Sequence, residues 1–576
     1  MKTPHCKKLA GLAALFASLS LGTTATFAQQ SPATGDLPQP LTLTNQQDHD
    51  LMMKLLGVES VRPGASGTNG LPNSANYDET KAVAASPIPD VLTLNNGQKV
   101  TTPAQWWNQR RPEIVEIFDR EFYGRAPELA KTIKVTWTVT STTQGNTGGI
   151  PTVTRQLNGH VDNSFYPLID VNIQASVTTP ANATGKVPVI VVLSGGGGGA
   201  PRGAAAAGPA GARGARGAAA PTLAGQALPT LDQLQTALTL TEAQIAAIRP
   251  IIEASTKAQQ DLTGLQTTAA NLRAALNDKI GAILTDAQKP MLAQALNPAP
   301  AGARGGGRGG PGAGVSWQQL ALEKGWGYGS LNTGSVQADN GAGLTRGIIG
   351  LINKGQARKA DDWGVLRTWA WGFSKLMDFF ETDNLVDVKQ VGVEGHSRWG
   401  KATAATMVYD SRVAIGYVSS SGEGGAKIWR HLMGETVENI TGSGEYHWMA
   451  GNFIKYGGPL TVNDLPGDAH ELVALIAPRP VFVGGGNSGD AWQDPHGMFM
   501  AAAGASPVWE LLGKKGLSND ALGINHLTMQ SPMTGVQVPV IDGDIGFRLH
   551  EQGHTDAPNW PTFIEFASRY LHAPGH

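Results

Sequence analysis

Residues 391–401, with the sequence VGVEGHSRWGK, constrain the fold of this chain more than any other segment. The valines of 388–393 are typical of a buried strand, and the small residues of 401–407 indicate the start of a helix. Between them, Ser397 stands at a sharp turn, although Trp399 replaces the last glycine of the usual G-x-S-x-G pattern. A serine at the apex of such a turn forms a nucleophile elbow, whose strained backbone presents the hydroxyl. We therefore predict a nucleophile here; the alternative is an ordinary strand-to-helix turn.

The segments around this turn alternate between helix and strand periodicity. Helical spacing covers 106–126 and 363–380, and a last helix is expected at 561–571. The expected strands are 133–139, 152–157, 168–178, 187–193, 413–418, 479–483 and 545–550. Strand–helix units repeated around a mostly parallel sheet predict the α/β-hydrolase fold, a three-layer sandwich that is entered here through antiparallel strands.

The N-terminal residues predict export. Lysines precede a largely apolar run at 9–21, and small residues follow it up to Ala28, so residues 1–28 are expected to be a signal peptide. The only cysteine, Cys6, lies within them. A signal of this kind implies a bacterial periplasmic or secreted protein. Residues 29–86 are polar and rich in Pro, Asn and Gly, which predicts a poorly ordered lead-in with one short helix near 50–56.

An insertion interrupts the hydrolase pattern at 199–314, so the catalytic domain is expected at 87–198 and 315–576. Gly-, Ala- and Arg-rich linkers flank a stretch with helical spacing at 231–296. Its two L-T-x-x-Q motifs resemble those of the periplasmic Spy-like helical proteins, which act as chaperones or stress sensors. The alternative is an inserted helical segment without a catalytic role.

Charge and motifs argue against several classes of protein. The net charge of −2 is unfavourable for binding nucleic acid, and no segment after the signal is apolar over the length of a membrane span. Neither H-E-x-x-H nor a paired histidine motif is present, and the glycine-rich segments lack the G-K-[S/T] ending of a phosphate loop. We expect a monomer without metal or cofactor.

Residues 395–401, GHSRWGK, resemble the glucuronoyl esterases of carbohydrate esterase family 15, whose members carry G-[C/H]-S-R-x-G-K at this point. A W-x-x-R-R-P-E-I pattern beginning at Trp107 is also similar to that family. The resemblance covers 87–193 and 317–571. It implies a serine esterase whose triad follows the order serine, acid, histidine.

The histidine and the acid of this triad are sought in the loops after late strands. His554 fits the base because it follows the last expected strand and precedes the closing helix. Many members of the family have a glutamate where this chain has Ser420, but bacterial relatives can place the acid after the next strand. Asp490 occupies that place, and Asp494 and Glu423 remain alternatives. The acid would orient the histidine and stabilise its charged form.

The resemblance also implies residues that contact the substrate. Arg398, beside the nucleophile, would help to hold the oxyanion. Lys401 would bind sugar hydroxyls and Trp492 would line the sugar pocket, whereas Glu435 and Glu445 are further sugar-binding candidates. The alternatives are solvated surface charges and a core tryptophan.

We therefore expect an esterase that cleaves (4-O-methyl-)glucuronic acid esters on glucuronoxylan, the links between xylan and lignin alcohols. One alternative is a different carbohydrate esterase, such as an acetylxylan esterase. Another is a non-catalytic periplasmic binding or chaperone-like protein that acts through the helical insert.

Overall fold

The computed structural model of the protein describes residues 37–82, 86–195, 315–523 and 526–575. The predicted signal peptide at 1–28 and the predicted helical insert at 199–314 lie outside these residues, so both stay predictions. No helix within the described ranges is both long enough and apolar enough to cross a membrane.

A nine-stranded sheet organises the described residues. Its strands are β1 (Val135–Thr147), β2 (Ile150–Val161), β3 (Asn172–Pro180), β4 (Val187–Ser194), β5 (Gly327–Asn332), β6 (Val386–His396), β7 (Ile415–Ser419), β8 (Val481–Gly486) and β9 (Ile545–His550). The spatial order is β1-β2-β3-β5-β4-β6-β7-β8-β9. The pairs from β1 to β5 are antiparallel, and every pair from β5 to β9 is parallel. The predicted α/β-hydrolase sheet with antiparallel entry strands is confirmed.

Helices cover both faces of the sheet. They are α1 (Asn45–Leu56), α2 (Arg111–Ile117), α3 (Glu128–Thr132), α4 (Trp317–Glu323), α5 (Gly347–Ile352), α6 (Val365–Thr382), α7 (Arg398–Tyr409), α8 (Val437–Thr441), α9 (Ala469–Ala474), α10 (Pro495–Leu511) and α11 (Trp560–Ala567). Alternate residues of the central strands enter two separate cores. Val189 and Val191 pack in the core that contains α6 and α7, whereas Ile190 packs in the core that contains α11. Such two-sided burial explains the continuous apolar run of β4.

The helical segment predicted at 106–126 begins earlier and ends earlier than expected. Helical backbone runs from Pro103 through α2, with π-helical turns on both sides of it, and ends at Phe122. The chain then turns at Gly124, which has a φ of 83°. A Cβ at this glycine would lie 2.3 Å from the Asp362 carbonyl oxygen, so only glycine allows this close approach.

The lead-in that we expected to be poorly ordered packs against the catalytic domain over residues 37–82. A capping box of Thr44 and Gln47 starts α1, and the helix buries Asp48, His49 and Met52. The Tyr446 hydroxyl donates to Asp48 Oδ2 at 2.7 Å, and His49 Nε2 lies 2.8 Å from the Thr441 carbonyl oxygen. The short helix expected near 50–56 is present but begins earlier, at Asn45, and its buried polar side chains find partners that are hundreds of residues away.

Candidate active site

Ser397 stands at the junction of β6 and α7 in a strained conformation. Its φ of 62° and ψ of −128° are rare for a residue with a side chain, and its N–H donates to the Ser419 carbonyl oxygen at 2.8 Å. A Cβ at Gly395 would lie 2.2 Å from the Trp399 carbonyl oxygen, and one at Gly400 would lie 2.6 Å from that of Ser419. The two glycines therefore allow the turn, and the strain is that of a nucleophile elbow.

His554 and Asp490 meet in the loops after β9 and β8. His554 Nδ1 lies 2.7 Å from Asp490 Oδ1. The other oxygen of the carboxylate accepts the Ser420 hydroxyl at 2.7 Å and the Gly486 N–H at 2.8 Å. With Nδ1–H donated to a fixed carboxylate, the His554 Nε2 atom is the nitrogen that can accept a proton.

The His554 ring lies beside the nucleophile elbow. It packs against the ring of His396, the residue that directly precedes Ser397, with 4.2 Å between ring centroids. The loops after β6, β8 and β9 open at the same edge of the sheet because these strands are parallel. The fold thus brings the predicted serine, histidine and carboxylate together.

The two alternative acids are engaged elsewhere. Asp494 Oδ2 lies 2.6 Å from His431 Nδ1, and Asp494 Oδ1 accepts the Gly497 N–H at the start of α10. Glu423 accepts from Lys427 Nζ at 2.8 Å, and both side chains of this pair are fully buried. Of the three candidates, Asp490 is the carboxylate that is paired with His554.

Arg398 is held by an aspartate that the sequence analysis did not identify. Arg398 Nη1 donates to Asp339 Oδ2 at 2.6 Å, while Asp339 Oδ1 accepts from His447 Nε2 at 3.0 Å and from Trp448 Nε1 at 2.6 Å. Burial alone would raise the pKa of Asp339, but these hydrogen bonds and the charge of Arg398 lower it well below its usual range. The aspartate stays ionised, so the guanidinium keeps its anchor.

The Lys401 ammonium is buried, with 2% of the residue exposed. Nζ donates to the Ser421 carbonyl oxygen at 2.7 Å, to the Glu423 carbonyl oxygen at 2.5 Å and to Glu435 Oε2 at 3.0 Å. These three bonds use all three donors of the ammonium group. Lys401 thus fixes Glu435 and the turn after β7.

Glu445 and Trp492 both lie close to Glu435. The Glu435 N–H donates to the Trp492 carbonyl oxygen at 2.8 Å, and the Trp492 residue is half-buried. Glu445 Oε2 is buried and has no hydrogen-bond partner among the described residues. Burial, reinforced by the negative charge of Glu435, raises the pKa of Glu445 to about 8. Glu445 is therefore a neutral carboxylic acid at pH 7 and can donate a hydrogen bond.

A mostly parallel sheet with a serine elbow, and with a histidine–carboxylate pair at the same edge, defines an α/β-hydrolase. A family model described as "Glucuronyl esterase, fungi" matches residues 357–513. The structure of a CE15 glucuronoyl esterase from Teredinibacter turnerae is 33% identical, with a TM-score of 0.66, and the match covers 91% of this chain and 99% of that one. The protein is a carboxylic ester hydrolase that belongs to the glucuronoyl esterases of carbohydrate esterase family 15.

Two curated relatives extend the comparison. A carbohydrate esterase from an unknown prokaryotic organism is 28% identical over 504 residues, which is 87% of this chain and 93% of the relative. A 4-O-methyl-glucuronoyl methylesterase from Hypocrea jecorina is 34% identical over 158 residues, but this match covers only 26% of the chain and 34% of the fungal protein.

Proposed function

We propose that the protein hydrolyses esters of (4-O-methyl-)glucuronic acid on glucuronoxylan and so cleaves lignin–carbohydrate ester links. The observation that carries this proposal is the His554–Asp490 pair beside the strained Ser397 elbow, in a chain of the glucuronoyl esterase family. Relatives named 4-O-methyl-glucuronoyl methylesterase support the choice of uronate ester over acetyl ester.

The reaction proceeds through an acyl-enzyme. Ser397 Oγ attacks the uronate carbonyl carbon while His554 Nε2 takes the hydroxyl proton, and Asp490 stabilises the imidazolium that forms. The carbon–oxygen bond to the alcohol then breaks, and His554 returns the proton to the leaving oxygen. Water then attacks the acyl carbon while His554 takes a proton from it, the bond to Ser397 Oγ breaks, and His554 returns the proton to Oγ, which releases the glucuronate and free Ser397.

Arg398 stabilises the negative oxygen of both tetrahedral intermediates. Its side chain is 43% exposed, so it is accessible to the substrate, and Asp339 limits its motion. A backbone N–H at the elbow contributes as a second donor. Loss of one oxyanion donor typically slows such reactions on the order of 10²–10³-fold.

Two carboxyl groups recognise the sugar, one as an acceptor and one as a donor of hydrogen bonds. Glu435, paired with Lys401, accepts a hydrogen bond from a hydroxyl group, whereas protonated Glu445 donates one. The Trp492 ring offers an apolar face to the pyranose. Because the esterified uronate is uncharged, this site can select the sugar without a counter-ion for its carboxyl group.

The decisive experiment measures hydrolysis of benzyl glucuronate and of an acetyl ester by wild type and by Ser397→Ala. Serine-dependent release from the glucuronate ester alone supports the proposal. Turnover of the acetyl ester alone would retain the nucleophile but reject the uronate site. Turnover of neither ester would direct attention to binding by the helical insert.

We also propose that residues 1–28 direct export to the periplasm or the medium and that the mature protein is a monomer. N-terminal sequencing of the exported protein tests cleavage after Ala28, and light scattering tests the monomer. Replacing 199–312 with a short Gly-Ser linker is expected to leave esterase turnover unchanged, since every strand of the sheet lies outside this range. A loss of turnover would assign the insert to the active site.

A further inference from the structure

A second cluster of polar side chains lies outside the esterase machinery. It consists of Glu79 from the lead-in, His431 from the connection between β7 and α8, and His496 from the first turn of α10. One ligand atom from each of the three side chains lies within 4.8 Å of the others. His431 is buried, whereas the Glu79 side chain is 53% exposed, so the cluster is closed on one side and accessible on the other.

One carboxylate oxygen connects the two imidazoles. Glu79 Oε1 lies 2.9 Å from His431 Nε2 and 2.6 Å from His496 Nδ1. On the far side of the buried ring, His431 Nδ1 lies 2.6 Å from Asp494 Oδ2. A carboxylate on the second nitrogen of a histidine is the arrangement that orients metal-binding imidazoles in proteins.

This geometry demands a positive charge between Glu79 and His431. If neutral His431 donates its Nδ1–H to Asp494, the lone pair of Nε2 faces a carboxylate oxygen, and two acceptors cannot bond to each other. Either a second proton or a metal ion must lie there. The cluster is thus a site for a cation.

We propose that Glu79, His431 and His496 bind a divalent transition-metal ion, best satisfied by Zn²⁺, with water completing the tetrahedron. Two imidazole nitrogens and one carboxylate oxygen form a ligand set that suits Zn²⁺, whereas Mg²⁺ and Ca²⁺ prefer oxygen ligands alone. The ion takes the place of the protons that the two histidines share with Glu79. Asp494 acts as the positioning carboxylate of His431.

The bound ion joins the lead-in to the loop that leads to Glu435. These two segments already touch. Asn76 Nδ2 donates to the Leu432 carbonyl oxygen at 2.8 Å, and the Leu432 N–H donates to the Ala82 carbonyl oxygen at 2.6 Å. Metal binding stabilises this contact and does not take part in ester hydrolysis. No sequence motif marks the site, because Glu79 is 352 residues from His431 and 417 residues from His496.

The test is titration of the full chain, without a histidine tag and after dialysis against EDTA, with zinc chloride by isothermal calorimetry. We expect one equivalent of Zn²⁺ to bind at the cluster and to raise the Tm. His496→Ala and Glu79→Gln are each expected to weaken binding at least 10-fold and to abolish the rise in Tm, while turnover of benzyl glucuronate stays unchanged. Using two variants keeps the test decisive if one of them does not fold.

His526→Ala is the matched control. His526 Nδ1 pairs with Glu510 Oε1 at 2.5 Å, so it is another His–Glu contact, but it is outside the cluster. This variant should bind Zn²⁺ as wild type does. The proposal is overturned if wild type shows no saturable binding, if the cluster variants bind as wild type does, or if His526→Ala loses as much affinity as they do.

Discussion

At the scale of single residues, Asp490 is held by more than its histidine. With 1% of the residue exposed, its carboxylate also accepts from Ser420 and from the backbone of Gly486. Ser420, which directly follows β7, supports this carboxylate with its hydroxyl group. Asp490 and Ser420 are neighbours because β7 and β8 are adjacent and parallel.

Asp490→Asn is expected to lower kcat for benzyl glucuronate on the order of 10²–10⁴-fold, because an amide holds the wrong tautomer of His554. The shape of the side chain is kept, so the Tm should change little. The measurement is kcat together with the thermal midpoint.

Glu423→Gln is the comparison for that variant. It replaces the carboxyl group that contacts the fully buried Lys427 with an amide, so the free energy of unfolding should fall. The Tm should fall, with a much smaller effect on kcat than that of Asp490→Asn. Equal, small losses of kcat in both variants would contradict Asp490 as the acid.

Glu445 makes substrate binding depend on pH. Its pKa is raised to about 8, so the proton that it donates is present below that pH and is lost above it. We expect KM for benzyl glucuronate to rise as the pH increases from 7 to 9. Glu445→Gln keeps a donor at every pH, so its KM should stay flat over this range.

The same group affects stability. A raised pKa in the folded state contributes stability at low pH that is lost as the pH rises toward about 8. Urea denaturation at pH 6 and at pH 9 should therefore show a smaller decrease for Glu445→Gln than for wild type. Identical pH dependence of KM and of unfolding in both proteins would exclude Glu445 as a neutral donor.

At the scale of elements, the turn into α7 and the segment between β5 and α5 act as a unit. The first presents Ser397 and Arg398, and the second supplies the Asp339 that orients the guanidinium. The Arg398 side chain extends from the surface of α7, so the helix alone does not fix the guanidinium. The contact with Asp339 holds it in place.

Asp339→Asn is expected to reduce kcat about 10–100-fold with little change in KM, because the Arg398 position matters most in the transition state. In combination with Arg398→Ala, the losses should be strongly non-additive. Asp361→Asn is a suitable control, because Asp361 forms an exposed pair with Arg125 at 3.3 Å. Fully additive losses would show that Asp339 acts independently of the arginine.

The sequence predicts the elements of the sheet better than it predicts supporting contacts. Ser397 and His554 were predicted from the strands that they follow, whereas Asp490 was one of three candidate acids, and only the structure shows that it contacts His554. Asp339 stands in a segment without periodicity, and its partner His447 is 108 residues away, so no local signal marks it. The prediction for Lys401 was also incomplete, because the three acceptors that bind its ammonium group are brought together only when the loops fold.

At the scale of the whole molecule, the lead-in is part of the folded unit. Helix α1 places Met52 against Gly451. This glycine follows shortly after His447 and Trp448, the two residues that contact Asp339. The composition of this part predicts poor order because composition carries only local information. The contacts that stabilise it are made with residues in the distant half of the chain. The predicted insert lies outside the described residues.

Met52→Ala is expected to lower the free energy of unfolding by about 2–5 kcal/mol, because the residue is 4% exposed and its loss leaves a cavity. Leu55→Ala, at a position on the same helix that is 61% exposed, should change it by less than about 0.5 kcal/mol. The measurement is chemical denaturation of both variants. Equal, small effects would mean that α1 does not stabilise the catalytic domain.

The saturated ammonium groups of Lys401 and Lys427 have a consequence for chemical reactivity. Lys427 Nζ donates to Glu423 Oε2, to the Met433 carbonyl oxygen and to that of Glu435, so it too uses all three hydrogens. An acylating reagent needs an accessible amine with a free lone pair, which neither lysine can offer while the protein is folded. Mild acetylation should therefore modify exposed lysines such as Lys81 and Lys131, while these two buried lysines resist the reagent until the fold opens.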